Sequence, residues 1–494
     1  MTSSAPKKIL VANRGEIALR IMRSIKELGH IPFAIYSEAD AKSPHVAFSH
    51  QAFCVGPAPS SESYLQADTI LDICKREKID AIHPGYGFMA ENKIFAEKCA
   101  KANVAFIGPL PDTIEQMGDK ILARRAAEKA GLPMVPGSHN LKDAAEATAF
   151  AEKIGYPVLL KAKAGGGGKG MRKVSKAEEI EEAFRLAQSE AQKAFGDGAL
   201  YMEKCLVHPR HIEVQVFCDH HGNVYTLGDR ECSIQRRHQK IIEEAPAFGL
   251  SETLRQKMSD VSKALCQQVN YHGAGTIEYL VDENQNFYFL EMNTRLQVEH
   301  PVTELVTQLD LVALQIRAAF GEKILIDPKI TGHAIEVRIY AEDPALNFIP
   351  QPGMIEQIIW PTGPGIRIDS GIESRSEISL YYDPMIAKIS TFAQNRAHAI
   401  EKMKWALSET IIVGTKTNKE FLQDILCNKD YEKNNVSTTF VEENMPFASY
   451  RDISEVELAA CFATLFSSDA SLAKVHSKAS MWWTSRLPRF QWYK

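Results

Sequence analysis

The sequence predicts an α/β N-terminal domain built on a parallel sheet (residues 1–119), an α+β central domain (120–332) and an α+β C-terminal domain with an antiparallel sheet (333–446). A tail, 447–494, follows with no assigned role. Three observations carry this. Residues 8–110 alternate short apolar runs with amphipathic helical patterns, as βαβ units do. Residues 112–300 pass from helices through a four-glycine turn into strands that include a hairpin. Residues 333–395 are dense in strand-like stretches, HAIEVRIYA, GMIEQIIW, IRIDSGI and MIAKISTFA, before 396–445 return to helix. A length of 494 residues fits roughly three domains at about 100–200 residues each.

In the first domain, strands are expected at 9–12, 33–36, 81–83 and 106–108, and helices at 17–28, 64–77 and 93–102. The helices should cover both faces of the sheet. Apolar residues make up 45% and charged residues 24%, the balance of a globular protein. A net charge of −5 gives no basic signature for nucleic acid. Nine cysteines, none in a C-x-x-C pair, read as reduced thiols of a cytoplasmic protein. Cys232, flanked by charged residues, reads as structural beside a site. The start MTSSAPKK has no signal-peptide core, and no run approaches 18 apolar residues, so no membrane span is expected.

Two glycine-rich turns follow strands. In residues 161–171, KAKAGGGGKGM, backbone amides can approach phosphate oxygens, and Lys161 and Lys169 flank them with point charges. This is not a P-loop, because Gly170 stands where Ser or Thr is needed. Residues 85–90, GYGFMA, match a dinucleotide pattern weakly, with no ribose-binding acid after them. They read as a turn lining the site, not as an NAD loop.

The most informative segment is GTIEYLVDENQNFYFLEMN, residues 275–293, a β-hairpin. A turn at Asn284 and Gln285 pairs Glu278 with Glu291, Leu280 with Phe289 and Thr276 with Asn293. On the other face it pairs Ile277 with Met292, Tyr279 with Leu290 and Val281 with Tyr288. One face is then apolar and the other sets two carboxylates about 5 Å apart, a destabilising pair unless a cation lies between them. Mg²⁺ takes one or two carboxylates together with substrate phosphates, and Asn293 adds a third oxygen on the same face. If the chain stays extended, Arg295, Gln297 and Glu299 continue that face, while Leu296 and Val298 take the other. Arg295 can then hold a small planar anion and Glu299 can serve as a base.

These motifs resemble those of the biotin carboxylases, members of the ATP-grasp superfamily. The resemblance covers about residues 7–445 and rests on ANRGEIALR, HPGYGF-x-x-EN, MGDK, KA-x-x-GGGGKGM, YMEK, PRHIEVQV, CS-x-QRRHQK, EEAPA, EMNTR-x-QVEHPVTE and EVRI-x-AEDP. It implies an ATP-grasp central domain with a glycine-rich lid. Lys120 and Lys161 would contact ATP phosphates under a loop containing Gly167 and Gly168. Glu203, Lys204 and Leu206 would form the adenine hinge, and His211 and His238 would reach ribose or phosphates. Glu278, Glu291 and Asn293 would hold Mg²⁺ or Mn²⁺. Lys240, Arg295, Gln297 and the Val298 backbone would bind bicarbonate, Glu299 would deprotonate it, and Arg338 would stabilise the biotin enolate. Lys163 and Ala164 depart from the small residues and glycine common in relatives, which implies a changed affinity for ATP.

The resemblance implies the ATP-using subunit of a multisubunit carboxylase of the acetyl-CoA, propionyl-CoA or pyruvate type, the first being the entrance to fatty acid biosynthesis. No Met-Lys-Met biotinylation signature occurs, so biotin is expected on a separate carrier protein, with the carboxyltransferase on further subunits. A homodimer with Arg20 and Arg23 near its interface is implied. The tail carries Trp482, Trp483 and Trp492 among Arg486, Arg489 and Lys494, a composition suited either to docking a partner subunit or to folding back on its own domain. The competing readings are an ATP-grasp ligase with another acceptor, against which EMNTR-x-QVEHP argues, and a catalytically dead ATP-binding regulator. The second would lack Glu278, Glu291, Arg295 or Glu299, and all four are present.

Overall fold

The computed structural model describes residues 5–138, 140–163 and 171–445. Gly167, Gly168, Ala164 and the whole tail, with its three tryptophans, lie outside the described residues.

The N-terminal strands β1 (Lys8–Val11), β2 (Ile31–Tyr36), β3 (Gln51–Cys54), β4 (Ala81–His83) and β5 (Ala105–Phe106) form one parallel sheet in the order β3-β2-β1-β4-β5. The expected two-sided cover is present. Ile9 and Val11 pack towards α1 (Gly15–Glu27), whereas Leu10 and Ala12 pack towards α2 (Ala67–Glu77) and α3 (Lys93–Lys101). Strand β3 was not anticipated: its residues are exposed or half-buried, so QAFC carries no buried-strand pattern. Helix α2 starts three residues later than expected, because Tyr64 is a core side chain whose hydroxyl donates to Asp40 at 2.5 Å.

The central region supplies α4 (Lys120–Lys129) and a small antiparallel sheet of β6 (Val158–Ala162), β7 (Met171–Val174) and β8 (Leu200–Lys204). Next come β9 (Arg210–Cys218), β10 (Val224–Arg236), β11 (Gln239–Ala245), α5 (Glu252–Gln268), β12 (Gly273–Val281), β13 (Phe287–Asn293) and α6 (His300–Thr307). The C-terminal strands that matter to the site are β14 (His333–Tyr340), β15 (Ile366–Ser370) and β16 (Met385–Ala393), followed by α7 (Arg396–Glu409). Central and C-terminal strands join in one eight-stranded sheet, β13-β12-β9-β10-β11-β14-β16-β15, through antiparallel pairing of β11 with β14.

The hairpin is present with one correction. Thr276 faces Asn293, Ile277 faces Met292 and Glu278 faces Glu291, as expected. Beyond Glu278 a bulge shifts the register, so Tyr279 faces Phe289, Leu280 faces Tyr288 and Val281 faces Phe287. The bulge lets Phe289 enter the core at 3% exposure and turns Leu290 outward at 40%. The apolar face is therefore kept, with Phe289 in the place expected for Leu290.

Arg20, expected near a subunit interface, is buried within this chain. Its guanidinium binds Glu304 and Asp310, each at 2.8 Å, and so ties α1 to the end of α6. Arg23 is the exposed member, 3.8 Å from Asp369. No helix among the described residues is long and apolar enough to cross a membrane.

Candidate active site

The eight-stranded sheet and the three-stranded sheet of β6 to β8 enclose a cavity of about 610 Å³. Thirteen of the residues singled out from sequence line it: Lys120, Lys161, His211, His238, Lys240, Glu278, Glu291, Asn293, Arg295, Gln297, Val298, Glu299 and Arg338. Glu203, Lys204 and Leu206 are not in its described wall. The Glu203 carboxylate turns to Lys161, at 2.5 Å, and to Arg124, while the Lys204 ammonium caps the carbonyls of Gly155 and Tyr156 at 3.0 and 2.8 Å.

The chain does not stay extended after Asn293: the strand ends there and irregular turns lead into α6. The expected side chains still converge. Gln297 donates to Glu278 at 3.0 Å, and Arg295 donates to the Asn293 side-chain oxygen at 2.9 Å. Asn293 in turn donates to Glu278 at 2.7 Å. Leu296 is buried in the core, and Val298 lines the cavity. What replaces strand parity is a set of tertiary ties, including Glu91, which accepts from Arg295 at 2.9 Å and from the Thr294 N–H at 3.0 Å.

The electrostatic centre is Lys240 on β11. Its ammonium reaches Glu278 at 2.9 Å, Glu299 at 3.0 Å and also Glu213. Glu213 and His211 share the inward face of β9 with Gln215, an alternation legible in HIEVQV that points to Glu213 as a further site residue. Fully buried Arg230 clamps Glu213 at 2.9 Å and Gln215 at 2.6 Å. His211 lies 3.0 Å from Glu278; burial lowers its pKa, but Glu278 and Glu213 hold it up to about 9. Burial opposes the charge on Glu278, yet Lys240 and His211 keep its pKa well below the usual carboxylate range. Glu299 is lowered in the same way by Lys240 and Arg338, against burial. Arg338, on β14, donates to Glu243 at 2.6 Å and to Glu299 at 3.0 Å.

Glu291 differs from its cross-strand partner. Among the described residues its carboxylate has no hydrogen-bond or ion-pair partner, and burial and then the Glu278 charge raise its pKa. An unpaired carboxylate facing a second one, at the mouth of a cavity lined by lysines, fits a divalent cation shared with phosphate oxygens. Asn293 fits less directly, since its side-chain oxygen is held by Arg295. Cys232 is a buried thiol close to Glu213 and Glu299, with its pKa pushed far up by burial, consistent with a structural role.

A second cavity, about 510 Å³, opens on the N-terminal domain side and shares Gln239, Arg295, Val298 and Arg338 with the first. Tyr86, Gly87 and Asn13 line it, so the GYG turn does reach the site. Gly85 has φ +66° and a Cβ there would sit 2.9 Å from the Asn13 amide nitrogen, which itself donates to the carbonyls of Pro84 and Tyr86 at 2.7 Å. Only glycine allows that approach.

A cavity lined by both lysines and carboxylates meets a second cavity at Arg295 and Arg338, an arrangement that suits an ATP-dependent ligase, and comparison with known proteins gives the class. Residues 5–114 match the family "Biotin carboxylase, N-terminal domain", 119–326 "Carbamoyl-phosphate synthase L chain, ATP binding domain" and 336–443 "Biotin carboxylase C-terminal domain". The chain is 48% identical over 450 residues to the biotin carboxylase of Halalkalibacterium halodurans, covering 90% of this chain and 99% of the relative. It is 49% identical over 445 residues to the human mitochondrial propionyl-CoA carboxylase alpha chain, covering 89% of this chain and 61% of that longer relative. The crystal structure of a Campylobacter jejuni biotin carboxylase complex with β,γ-ATP superposes with a TM-score of 0.84 at 46% identity, over 89% of this chain and 99% of that one. The biotin carboxylase domain dimer of Hydrogenobacter thermophilus 2-oxoglutarate carboxylase, bound to MgADP, ADP and bicarbonate, gives 0.84 at 44% identity, over 91% and 100%. The chain belongs to the biotin carboxylase family.

Proposed function

We propose that this protein carboxylates biotin held on a separate carrier protein, using ATP and bicarbonate, as the first half-reaction of a multisubunit carboxylase. The observation that carries this reading is the junction of the two cavities: Arg295 and Arg338 line both, with Glu299 beside them in the first, where a nucleotide's terminal phosphate and an acceptor entering past Tyr86 would meet. Lys120 and Lys161, together with Gly167 and Gly168, hold the ATP phosphates. The backbone at Glu203, Lys204 and Leu206 takes adenine, and His211 and His238 take ribose or phosphate. Glu278 and Glu291, with Asn293 once Arg295 releases it, hold Mg²⁺ or Mn²⁺. That ion, when bound, supplies charge neutralisation at the β- and γ-phosphate oxygens.

Bicarbonate binds between Lys240, Arg295, Gln297 and the Val298 backbone. Glu299, ionised between Lys240 and Arg338, takes its proton. The carbonate oxygen attacks the γ-phosphorus, the bond to ADP breaks, and carboxyphosphate forms. Carboxyphosphate releases CO₂ and phosphate, the phosphate takes the ureido N–H proton of biotin, and Arg338 stabilises the enolate while its nitrogen attacks CO₂. Exclusion of water from the site protects the mixed anhydride. The carrier and carboxyltransferase are separate subunits, and the working unit is a homodimer with Arg20 and Arg23 near its interface.

The test is ADP release measured with bicarbonate and free biotin, each omitted in turn. Dependence on bicarbonate and stimulation by biotin are expected. Glu299→Gln should lower bicarbonate-dependent ADP release by about 10²-fold or more; near-normal turnover would remove Glu299 from the role of base.

A further inference from the structure

Residues 294–299 join the end of β13 to α6 without a ladder partner, yet they carry three of the side chains assigned to bicarbonate. The backbone bonds that hold the turn are long, 3.4 Å from the His300 N–H to the Gln297 carbonyl, so side chains must help fix the peptide planes. We propose that His300 and Lys388 are positioning residues that lock the two peptide groups flanking Val298, and so aim the Val298 N–H and the Glu299 carboxylate at bicarbonate. This rests on the reading of residues 295–299 given above.

The first peptide group joins Gln297 to Val298. Its carbonyl accepts from His300 Nδ1 at 2.7 Å, the shorter of two bonds to it, the other coming from the His300 backbone N–H at 3.4 Å. The peptide is planar and trans, so its C=O and N–H point in opposite directions, and fixing one fixes the other. His300 therefore sets the direction of the Val298 N–H. A carbonyl can only accept, so the imidazole proton sits on Nδ1, and Nε2 makes no hydrogen bond. Burial, followed by Lys388, Arg20 and Arg367, keeps the ring neutral, which leaves one tautomer and one role.

The second peptide group joins Val298 to Glu299. Its carbonyl accepts from Lys388 Nζ at 2.6 Å. Lys388 comes from β16, where it lies between Arg338 on β14 and Asp369 on β15. His300 and Lys388 are both fully buried. The ammonium is balanced by Glu16 on α1, at 3.3 Å, and the same Glu16 oxygen accepts from the Tyr86 hydroxyl in the second cavity. An ammonium with no exposure is a costly way to fill volume that a methionine could fill. Its one short hydrogen bond goes to the backbone that leads into Glu299.

The experiment compares KM for bicarbonate with KM for ATP in ADP release by the full chain. His300→Leu and Lys388→Met should each raise KM for bicarbonate about tenfold or more, since small misplacements at a reacting centre cost that much. KM for ATP should stay within about twofold of wild type, because the lost interaction serves only bicarbonate. His300→Asn, which keeps a donor near Nδ1, and Lys388→Arg should recover most of the loss. Lys388→Met strands Glu16, so Lys388→Met/Glu16→Met is made alongside it. That variant removes both charges, still lacks a donor for Val298, and should keep the bicarbonate defect. Folded variants with wild-type KM for bicarbonate, or KM for ATP and bicarbonate rising together, would overturn the proposal. Absence of bicarbonate-dependent ADP release in the wild-type protein would overturn the functional reading and this inference with it. Normal wild-type turnover with unaltered variants overturns this inference alone.

Discussion

Two groups of buried glutamates on the same sheet behave in opposite ways. Glu213, Glu278 and Glu299 are 0%, 4% and 2% exposed; Glu243 and Glu336, opposite each other on β11 and β14, are both 0% exposed. Burial opposes ionisation in all five. In the first group Lys240 touches every member, and Arg230 and His211 add to it, so all three pKa values fall. In the second, Arg338 is shared between Glu243 and Glu299, and one carboxyl oxygen of Glu243 and one of Glu336 find no hydrogen-bond partner among the described residues. Burial and then Glu299 push Glu243 to about 7; burial and then Glu243 push Glu336 to about 8. Direct ion pairing, not the depth of burial, separates the two groups: Lys388 and Arg338 favour ionisation of Glu336 only from a distance, whereas Lys240 touches each of the first three. The site keeps its anions where Lys240 stands and a proton behind Arg338.

That contrast is broken most severely at Lys240. Lys240→Met leaves three buried carboxylates undercompensated and should cost about 3–5 kcal/mol of stability, besides abolishing bicarbonate-dependent ADP release. An unchanged melting temperature would mean that the three carboxylates do not depend on Lys240. Arg338→Ala acts on the other group. Biotin carboxylation should fall by about 10²-fold or more while much ATP cleavage survives; equal loss of both counts against the enolate role.

Glu291→Gln sharpens the difference between a carboxylate with resident cations and one without. Wild-type protein at about 100 times the Kd of MgADP should gain about 2.7 kcal/mol. The variant should lose most of the part of that gain that depends on Mg²⁺, read as melting temperature with and without the ion. The smallest effect belongs to Glu336→Gln. Because the folded protein holds Glu336 protonated up to about 8, against 4.5 in the unfolded chain, the folded state binds more protons across that window. Wild-type stability should therefore fall as pH rises from 4.5 towards 8, and the amide should flatten that slope. A slope unaltered in Glu336→Gln would place the proton elsewhere.

The βαβ alternation and the hairpin were readable because periodicity reports which face is buried. Glu278 opposite Glu291 followed from the turn position, and the bulge that displaces Leu290 did not, since nothing local distinguishes Leu290 from Phe289 as the core residue. The convergence of Arg295, Gln297 and Glu299 was anticipated from strand parity, yet irregular turns produce it. Glu91 lies 204 residues from Arg295, and no spacing rule connects them. Glu213 was within reach of the alternation in HIEVQV, whereas Lys388 reads as one lysine in an ordinary strand.

The sequence by itself determined the strand and helix alternation, the carboxylate pair and the kinship carried by dense motifs. These are properties of residue type and short spacing. Only the tertiary structure decided which charges meet. Pairing of β11 with β14 brings Arg338 and Glu243 to Glu299, and β16 carries Lys388 beneath Val298. Those contacts span 39 to 95 residues. They exist because one sheet continues from the central strands into the C-terminal ones, so that groups remote in the chain share one desolvated face.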